Sequence, residues 1–372
     1  SVTNALAVIQ SYSPWRPSAG VTESGLTIKD LENSDLTYEK KHELNIGADL
    51  GFLDNRINLT VDWYKRDNFD LIGRVMTQGI GGQIQKYGNV ATMKSRGIEF
   101  SLSTKNIKTK DFSWTTDFIY SHMKNEVTKF NTSTRAFNLV SGIGFSREGY
   151  PVNSLFSYDF RGLNEDGVPT FINEAGVLTS TDINFQETER FDNLVYSGPS
   201  EPTDVGSFGN IFQYKGLRLN VFITYSFGNV VRLDPVFSSI YNDLDAMPRE
   251  FRNRWMTPGD ERYTDVPAIV SSRQVRNDSK LSYAYNAYNY STARIAKGDF
   301  IRMKEISLTY DFPKRWIKKL RFSNMSLKLQ ATNLFLIYAD KKLNGQDPEF
   351  FNSGGVATPV PKQFTLTLKI GL

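Results

Sequence analysis

Apolar and polar residues alternate at the carboxy-terminal end of the chain. From Pro361 onward, Phe364, Leu366, Leu368, Ile370 and Leu372 fall on one face of an extended segment, and Gln363, Thr365, Thr367, Lys369 and Gly371 fall on the other. The same two-residue rhythm returns at Leu44, Ile46, Ala48 and Leu50, and at Ile57, Leu59, Val61 and Trp63. It recurs at Ile98, Phe100 and Leu102, along Leu217, Leu219, Val221, Ile223, Tyr225 and Phe227, and at Ile306, Leu308, Tyr310 and Phe312. Phe112, Trp114, Phe118 and Tyr120 form a less regular copy. Each segment is near the ~9–11 residues that a tilted membrane strand requires. The pattern predicts strands with one oily face and one wet face.

The connections alternate in length. Short links are expected near Phe52–Asn55, Asn106–Asp111, Tyr214–Gly216 and Pro313–Ser323, and long ones over Asp67–Lys94, Asn125–Val205, Asn229–Gly298 and Ala339–Val360. Unstructured loops beyond ~12–15 residues are uncommon in compact soluble domains. Outer-membrane barrels pair short periplasmic turns with long extracellular loops. One further strand-like run, Ser154–Leu163, breaks that alternation and is assigned to a folded extracellular loop. About nine wall strands remain, all antiparallel. A nine-stranded open sheet has two bare edges that lipid cannot satisfy, so further strands are expected from a segment outside this chain.

Composition fits this picture without proving it. Mean hydropathy is −0.39, as expected where lipid-facing and lumen-facing residues average out. No run approaches the ~20 apolar residues of a spanning helix. Aromatics reach 13%, the residues that barrels concentrate in girdles at the membrane interfaces. Net charge is +4, too small a field to argue for nucleic acid. With no cysteine, disulfide scaffolds and thiolate metal sites are excluded. The chain opens at Ser1 without a signal peptide, which suggests a mature or truncated chain.

Candidate chemistry is sparse. Two histidines, His42 and His122, lie in strand-like segments, and no zinc, phosphate-loop or nucleophile-elbow motif is present, so neither catalysis, a metal nor a cofactor is expected. Asp243 and Asp245 have the chemistry of an acid–base pair at a glycosidic bond, but nothing in the sequence brings them together. Lys314, Arg315, Lys318, Lys319 and Arg321, with Trp316 among them, sit in one short link and read as a solvated turn at the membrane interface. Tyr283, Tyr285, Tyr288 and Tyr290, together with Trp15 and Tyr158, offer rigid ring faces for a sugar or a peptide side chain. Packing inside a long folded loop is the competing explanation.

Several motifs then occur in order. Leu36-Thr37-Tyr38-Glu39-Lys40 precedes Asn45-Ile46-Gly47, and Gly51-Phe52-Leu53-Asp54-Asn55-Arg56-Ile57 forms a hairpin signature. Gly149-Tyr150-Pro151-Val152, Phe212-Gln213-Tyr214-Lys215-Gly216-Leu217 and Phe300-Ile301-Arg302-Met303-Lys304-Glu305-Ile306 follow. Ala331-Thr332-Asn333-Leu334-Phe335, Asp347-Pro348-Glu349 and Pro359-Val360-Pro361-Lys362 complete the series. Together these resemble the SusC/RagA-like TonB-dependent transporters of Bacteroidetes-type outer membranes. The family usually ends in an aromatic residue, where this chain has Leu372.

The resemblance implies an all-β fold, an antiparallel transmembrane β-barrel of roughly 22 strands with a plugged lumen. Residues 1–372 would be its carboxy-terminal portion, with the plug and first strands absent. Leu366, Leu368, Val61 and Val221 would face lipid, and Thr365, Thr367, Asn58, Thr60 and Asp62 the lumen. Phe364, Leu366, Leu368, Ile370 and Leu372 would form the assembly strand. Implied partners are the rest of the barrel and plug, a SusD-like lipoprotein, TonB acting through the plug, outer-membrane lipid, and a glycan or peptide ligand. Three alternatives stay open: a siderophore-type receptor without a lipoprotein lid, a soluble all-β carbohydrate-binding or hydrolytic protein, and a passive porin.

Overall fold

A computed structural model of the chain describes residues 7–12, 25–77, 79, 85–132, 134–141, 144–236, 247–317, 322–351 and 361–371. Two short strands, β1 (Val8–Tyr12) and β2 (Gly25–Asp30), pair with each other ahead of the main sheet. The wall begins with β3 (Lys40–Phe52), β4 (Ile57–Met76), β5 (Gln85–Lys108) and β6 (Phe112–Phe130). The chain then leaves it for a lobe holding β7 (Ser154–Tyr158), β8 (Phe160–Leu163), β9 (Pro169–Ile172), β10 (Leu178–Thr179) and β11 (Leu194–Pro199). It returns as β12 (Asp204–Tyr214) and β13 (Leu217–Phe227). A second excursion carries β14 (Val230–Arg232) and β15 (Ile295–Lys297), and β16 (Phe300–Asp311), β17 (Asn324–Ala339) and β18 (Gln363–Gly371) complete the wall.

Nine strands form one antiparallel sheet in the order β18-β17-β16-β13-β12-β6-β5-β4-β3, so each wall strand neighbours the next wall strand along the chain. This is the count expected from the alternation. Ser154–Leu163 falls in the lobe, as expected, paired with β11 and β9 rather than with the wall.

Residues directly opposite in a sheet project to the same side, so registers trace its two faces. One row runs Leu50, Leu59, Leu102, Phe118, Phe208, Ile223, Met303 and Phe335 across eight strands. Among the described residues, these apolar side chains meet no second sheet. Phe364, Leu366 and Leu368 are 71%, 68% and 57% exposed, and both buried apolar clusters draw their members from outside the wall's outer face. The remaining sheets among the described residues have two or three strands, too few to form the packed layer of a sandwich. An apolar face spanning nine strands far exceeds the few hundred Å² that soluble monomers expose. Hydrocarbon is the solvent it suits, which favours the barrel over the soluble alternative.

The turns explain the short links. Leu53, Asp54 and Asn55 all adopt left-handed backbone between β3 and β4, and Lys215-Gly216, both at positive φ, make the two-residue turn between β12 and β13. One long connection differs from expectation. Asp67–Lys94 is mostly paired strand, because β4 continues to Met76 and β5 starts at Gln85. Beyond the membrane both faces of a hairpin meet water, so the alternation fades while the backbone ladder continues. The long Asn125–Val205 connection also starts later than expected, since β6 runs to Phe130.

Candidate functional site

The inner face of the wall carries the polar half of the alternation. Thr60 Oγ1 donates to Asp49 at 2.6 Å, and Ser103 Oγ donates to Asp117 at 2.7 Å. Gln330 Nε2 donates to Glu305 at 2.9 Å, and Lys328 Nζ lies 3.8 Å from the same carboxylate. Near the short turns this face is concave, with a cavity of about 510 Å³ bordered by Arg218, Asn220, Glu305, Ser307, Lys328 and Thr367. Such a surface is built to hydrogen-bond another polar body. Among the described residues no group of His, Cys, Asp and Glu side chains is arranged to hold a metal ion.

At the opposite rim, Arg302 on β16 turns to the inner side and is buried with Asp347. Their guanidinium and carboxylate lie 2.5 Å apart, and Glu349 adds a contact to Arg302 Nε at 3.3 Å. The segment carrying Asp347 also touches the second excursion. Lys342 Nζ donates to the Ile295 carbonyl, Asn344 to Glu250, and the Lys297 amide to Asp340. Glu250 in turn pairs with the buried Arg294 at 2.5 Å.

The lobe above the rim has its own core. Phe156, Tyr158, Phe171 and Tyr288 meet there with Leu139 and Val140 of helix α1 (Ala136–Val140). Helix α2 (Ser272–Asn277) precedes helix α3 (Leu281–Asn289), whose Ala284, Tyr285, Ala287 and Tyr288 face inward. This divides the predicted ligand aromatics. Tyr158, Tyr285 and Tyr288 are each 1% exposed, so their ring faces are taken by protein and unavailable to a ligand here, a correction that favours packing for these three. Burial pushes the Tyr158 and Tyr285 hydroxyls upward and that of Tyr288 up to about 12, so all three stay protonated at physiological pH. Tyr283 remains exposed and Tyr290 half-buried, their rings next to Phe185 and Phe137 respectively. Trp15, Asp243 and Asp245 lie outside the described residues, as does Leu372. Lys318, Lys319 and Arg321 also fall there, while Lys314, Arg315 and Trp316 belong to helix α4 (Lys314–Ile317). Trp316 is half exposed with its ring near Phe312.

Phe364, Leu366, Leu368 and Ile370 of the predicted assembly strand share the outer face of β18, paired with β17. The sequence reading missed Arg302 and Asp347 as partners. Both stood inside recognised motifs, but 45 positions separate them and only the fold brings them together.

Residues 7–334 match the family model described as TonB dependent receptor-like, beta-barrel. TonB-dependent receptor P3 of Formosa agariphila is 26% identical over 344 residues, which cover 88% of this chain and 32% of that protein. TonB-dependent receptor SusC of Bacteroides thetaiotaomicron is 27% identical over 357 residues, covering 91% of this chain and 32% of its own length. Among solved structures, the RagAB peptide transporter superposes with a TM-score of 0.76 at 25% identity, over 99% of this chain and 38% of that one. The chain thus spans about a third of the length of the curated relatives it matches.

Proposed function

The chain belongs to the TonB dependent receptor-like β-barrel family, and from that premise we propose that it forms the carboxy-terminal wall and loops of an outer-membrane importer. Its cargo is an oligomeric nutrient, a glycan or a peptide, too large for a diffusion pore. The observation carrying this reading is the two-sided sheet: an exposed apolar outer face and a hydrogen-bonded polar inner face on the same nine strands. Residues 1–372 act as one portion of the barrel domain, and a preceding segment supplies the plug and the remaining strands. The edges β3 and β18 each have one wall neighbour among the described residues, and in hydrocarbon their open backbone groups need pairing.

The long loops and lobe face the exterior and the short turns face the periplasm. A SusD-like lipoprotein covers the lobe, and TonB acts through the plug against the concave inner face. The protein moves its substrate and performs no bond chemistry on it. Among the described residues, Tyr283 and Tyr290 are the aromatic candidates left for ligand contact at the mouth, and Trp15, outside them, is a further candidate. Similarity to SusC and to the RagAB peptide transporter supports this over a siderophore receptor without a lid or a passive porin.

The test is uptake of labelled oligosaccharides and oligopeptides by cells carrying the complete transporter. Import is expected to disappear when TonB is deleted, a surface lipoprotein should co-purify, and the protein should need detergent and run with heat-modifiable mobility. TonB-independent uptake would sink the importer reading. A barrel without a lipoprotein that takes up iron chelates would replace it with the unlidded receptor.

A further inference from the structure

The outer face changes character abruptly at the loop end of strands β3 to β6. In the last apolar row, Ile46, Trp63 and Ile98 are exposed on the lipid side, in register with His122. The next row on the same face reads Leu44, Lys65, Arg96 and Lys124. Two residues along a strand amount to roughly 7 Å, so three cations stand immediately above the apolar band.

Like charges directly opposite on neighbouring strands repel, and sheets ordinarily place an acid between them. The following row does so, with Asp67, Lys94 and Glu126 alternating in sign. The Lys65–Arg96–Lys124 row does not. All three side chains are exposed, and none makes an ion pair or side-chain hydrogen bond among the described residues. Even with Asp67 and Glu126 counted, Lys65, Lys94, Arg96 and Lys124 leave an excess of positive charge. The side chains border a cavity of about 380 Å³ that also touches Trp63 and Glu126. On the inner face behind it, Tyr64 lies over Gly97 where a Cβ would clash with its ring, and Ser95 and Val127 are buried. The cations therefore have a closed backing and an open front facing lipid.

We propose that this row binds the phosphate of a phosphorylated lipid head group in the loop-side leaflet. Arg96 sits at the centre and offers a forked donor to phosphate oxygens. Lys65 and Lys124 flank it one strand away on each side, and Trp63 sits at head-group depth beside the acyl chains. Annular lipid would meet the apolar rows anywhere on the wall. A phosphate is selected where its charge cancels repulsion within the sheet, as it does at this row. The inference rests on the membrane reading of the wall.

The test uses the complete transporter, purified in mild detergent from outer membranes and analysed by native mass spectrometry. The wild-type protein is expected to retain a phosphorylated lipid. The triple variant Lys65→Gln, Arg96→Gln, Lys124→Gln should lower retention on the order of a hundredfold, from ~1 kcal/mol per basic residue near a charged surface. Glu126→Gln should raise it. Titration of the lipid-stripped protein with inorganic phosphate and with a dephosphorylated form of the lipid separates the sources. Binding of free phosphate as tight as that of the lipid, or equal retention of the dephosphorylated lipid, overturns the proposal. Unchanged retention in a triple variant with normal heat-modifiable mobility also overturns it. Loss of that mobility in the wild-type protein instead removes the membrane premise itself.

Discussion

On the wall, Phe364 and Leu366 leave 71% and 68% of their surface uncovered, whereas in the lobe Phe156 and Phe171 leave none. The residue types are alike, and the two regions join directly where β6 ends and the lobe begins. The lobe turns its rings inward, Tyr158 and Phe160 each packing at an angle against Phe171, and faces water with its polar groups. The wall does the reverse, hydrogen-bonding Asp49, Asp117 and Glu305 on its inner face and leaving its apolar groups outside. Burial here is therefore a statement about the local solvent. Each region satisfies the same requirement, apolar groups away from water, against a different surrounding medium.

The largest effect that tests this contrast is truncation of the lobe core. Phe171→Ala should cost about 3–5 kcal/mol, because the ring is fully buried and its site cannot collapse freely. Hydrogen exchange in the complete transporter should show the loss confined to lobe amides, with wall amides unmoved. Faster exchange throughout the wall would mean that the two regions are one cooperative unit.

A charge on the outer face comes next. Leu102 lies in the middle of the apolar band, and Leu102→Arg should cost about 2–4 kcal/mol of stability in lipid. Unfolding in lipid vesicles, read by gel mobility, measures it. The variant should leave exchange in the lobe unchanged, and a neutral result would remove Leu102 from hydrocarbon.

The smallest effect concerns pH in the loops. The Asp260 carboxylate accepts from the Met256 and Thr257 amides, both at 3.0 Å, and these bonds hold its carboxyl below the ordinary range. A depressed folded value means that the turn's stabilisation is present above the unfolded value of ~3.9 and disappears as pH falls through the lower folded one. Exchange at those two amides should accelerate on acidification, and Asp260→Asn should abolish the response. An Asp260→Asn protein with the same acid response would assign it elsewhere.

The wall was legible in the sequence because Leu44, Ile46, Ala48 and Leu50 all report one medium, and a strict two-residue period needs no knowledge of the partners. That legibility failed where the medium became the same on both sides. Asp67–Lys94 lost its alternation and passed for a loop, although β4 up to Met76 pairs with β5 from Gln85. The tyrosines failed for another reason: Tyr283 and Tyr285 are two positions apart on α3, and only packing decides that one is exposed and the other enclosed. The Lys65, Arg96 and Lys124 row was hidden because charges on three strands become neighbours only through register. Arg302 and Asp347 were visible singly, and their pairing required the fold.

That last pair has a mechanical consequence. Residues 340–349, which follow β17, grip the wall through Arg302 and grip the second excursion through Ile295, Lys297 and Glu250, so they work as a strut. A load that tips the lobe outward is transmitted along this strut to β16, deforming the rim instead of leaving the lobe to swing on its chain crossings alone. The load thus reaches the same strand whose lower half borders the concave inner face.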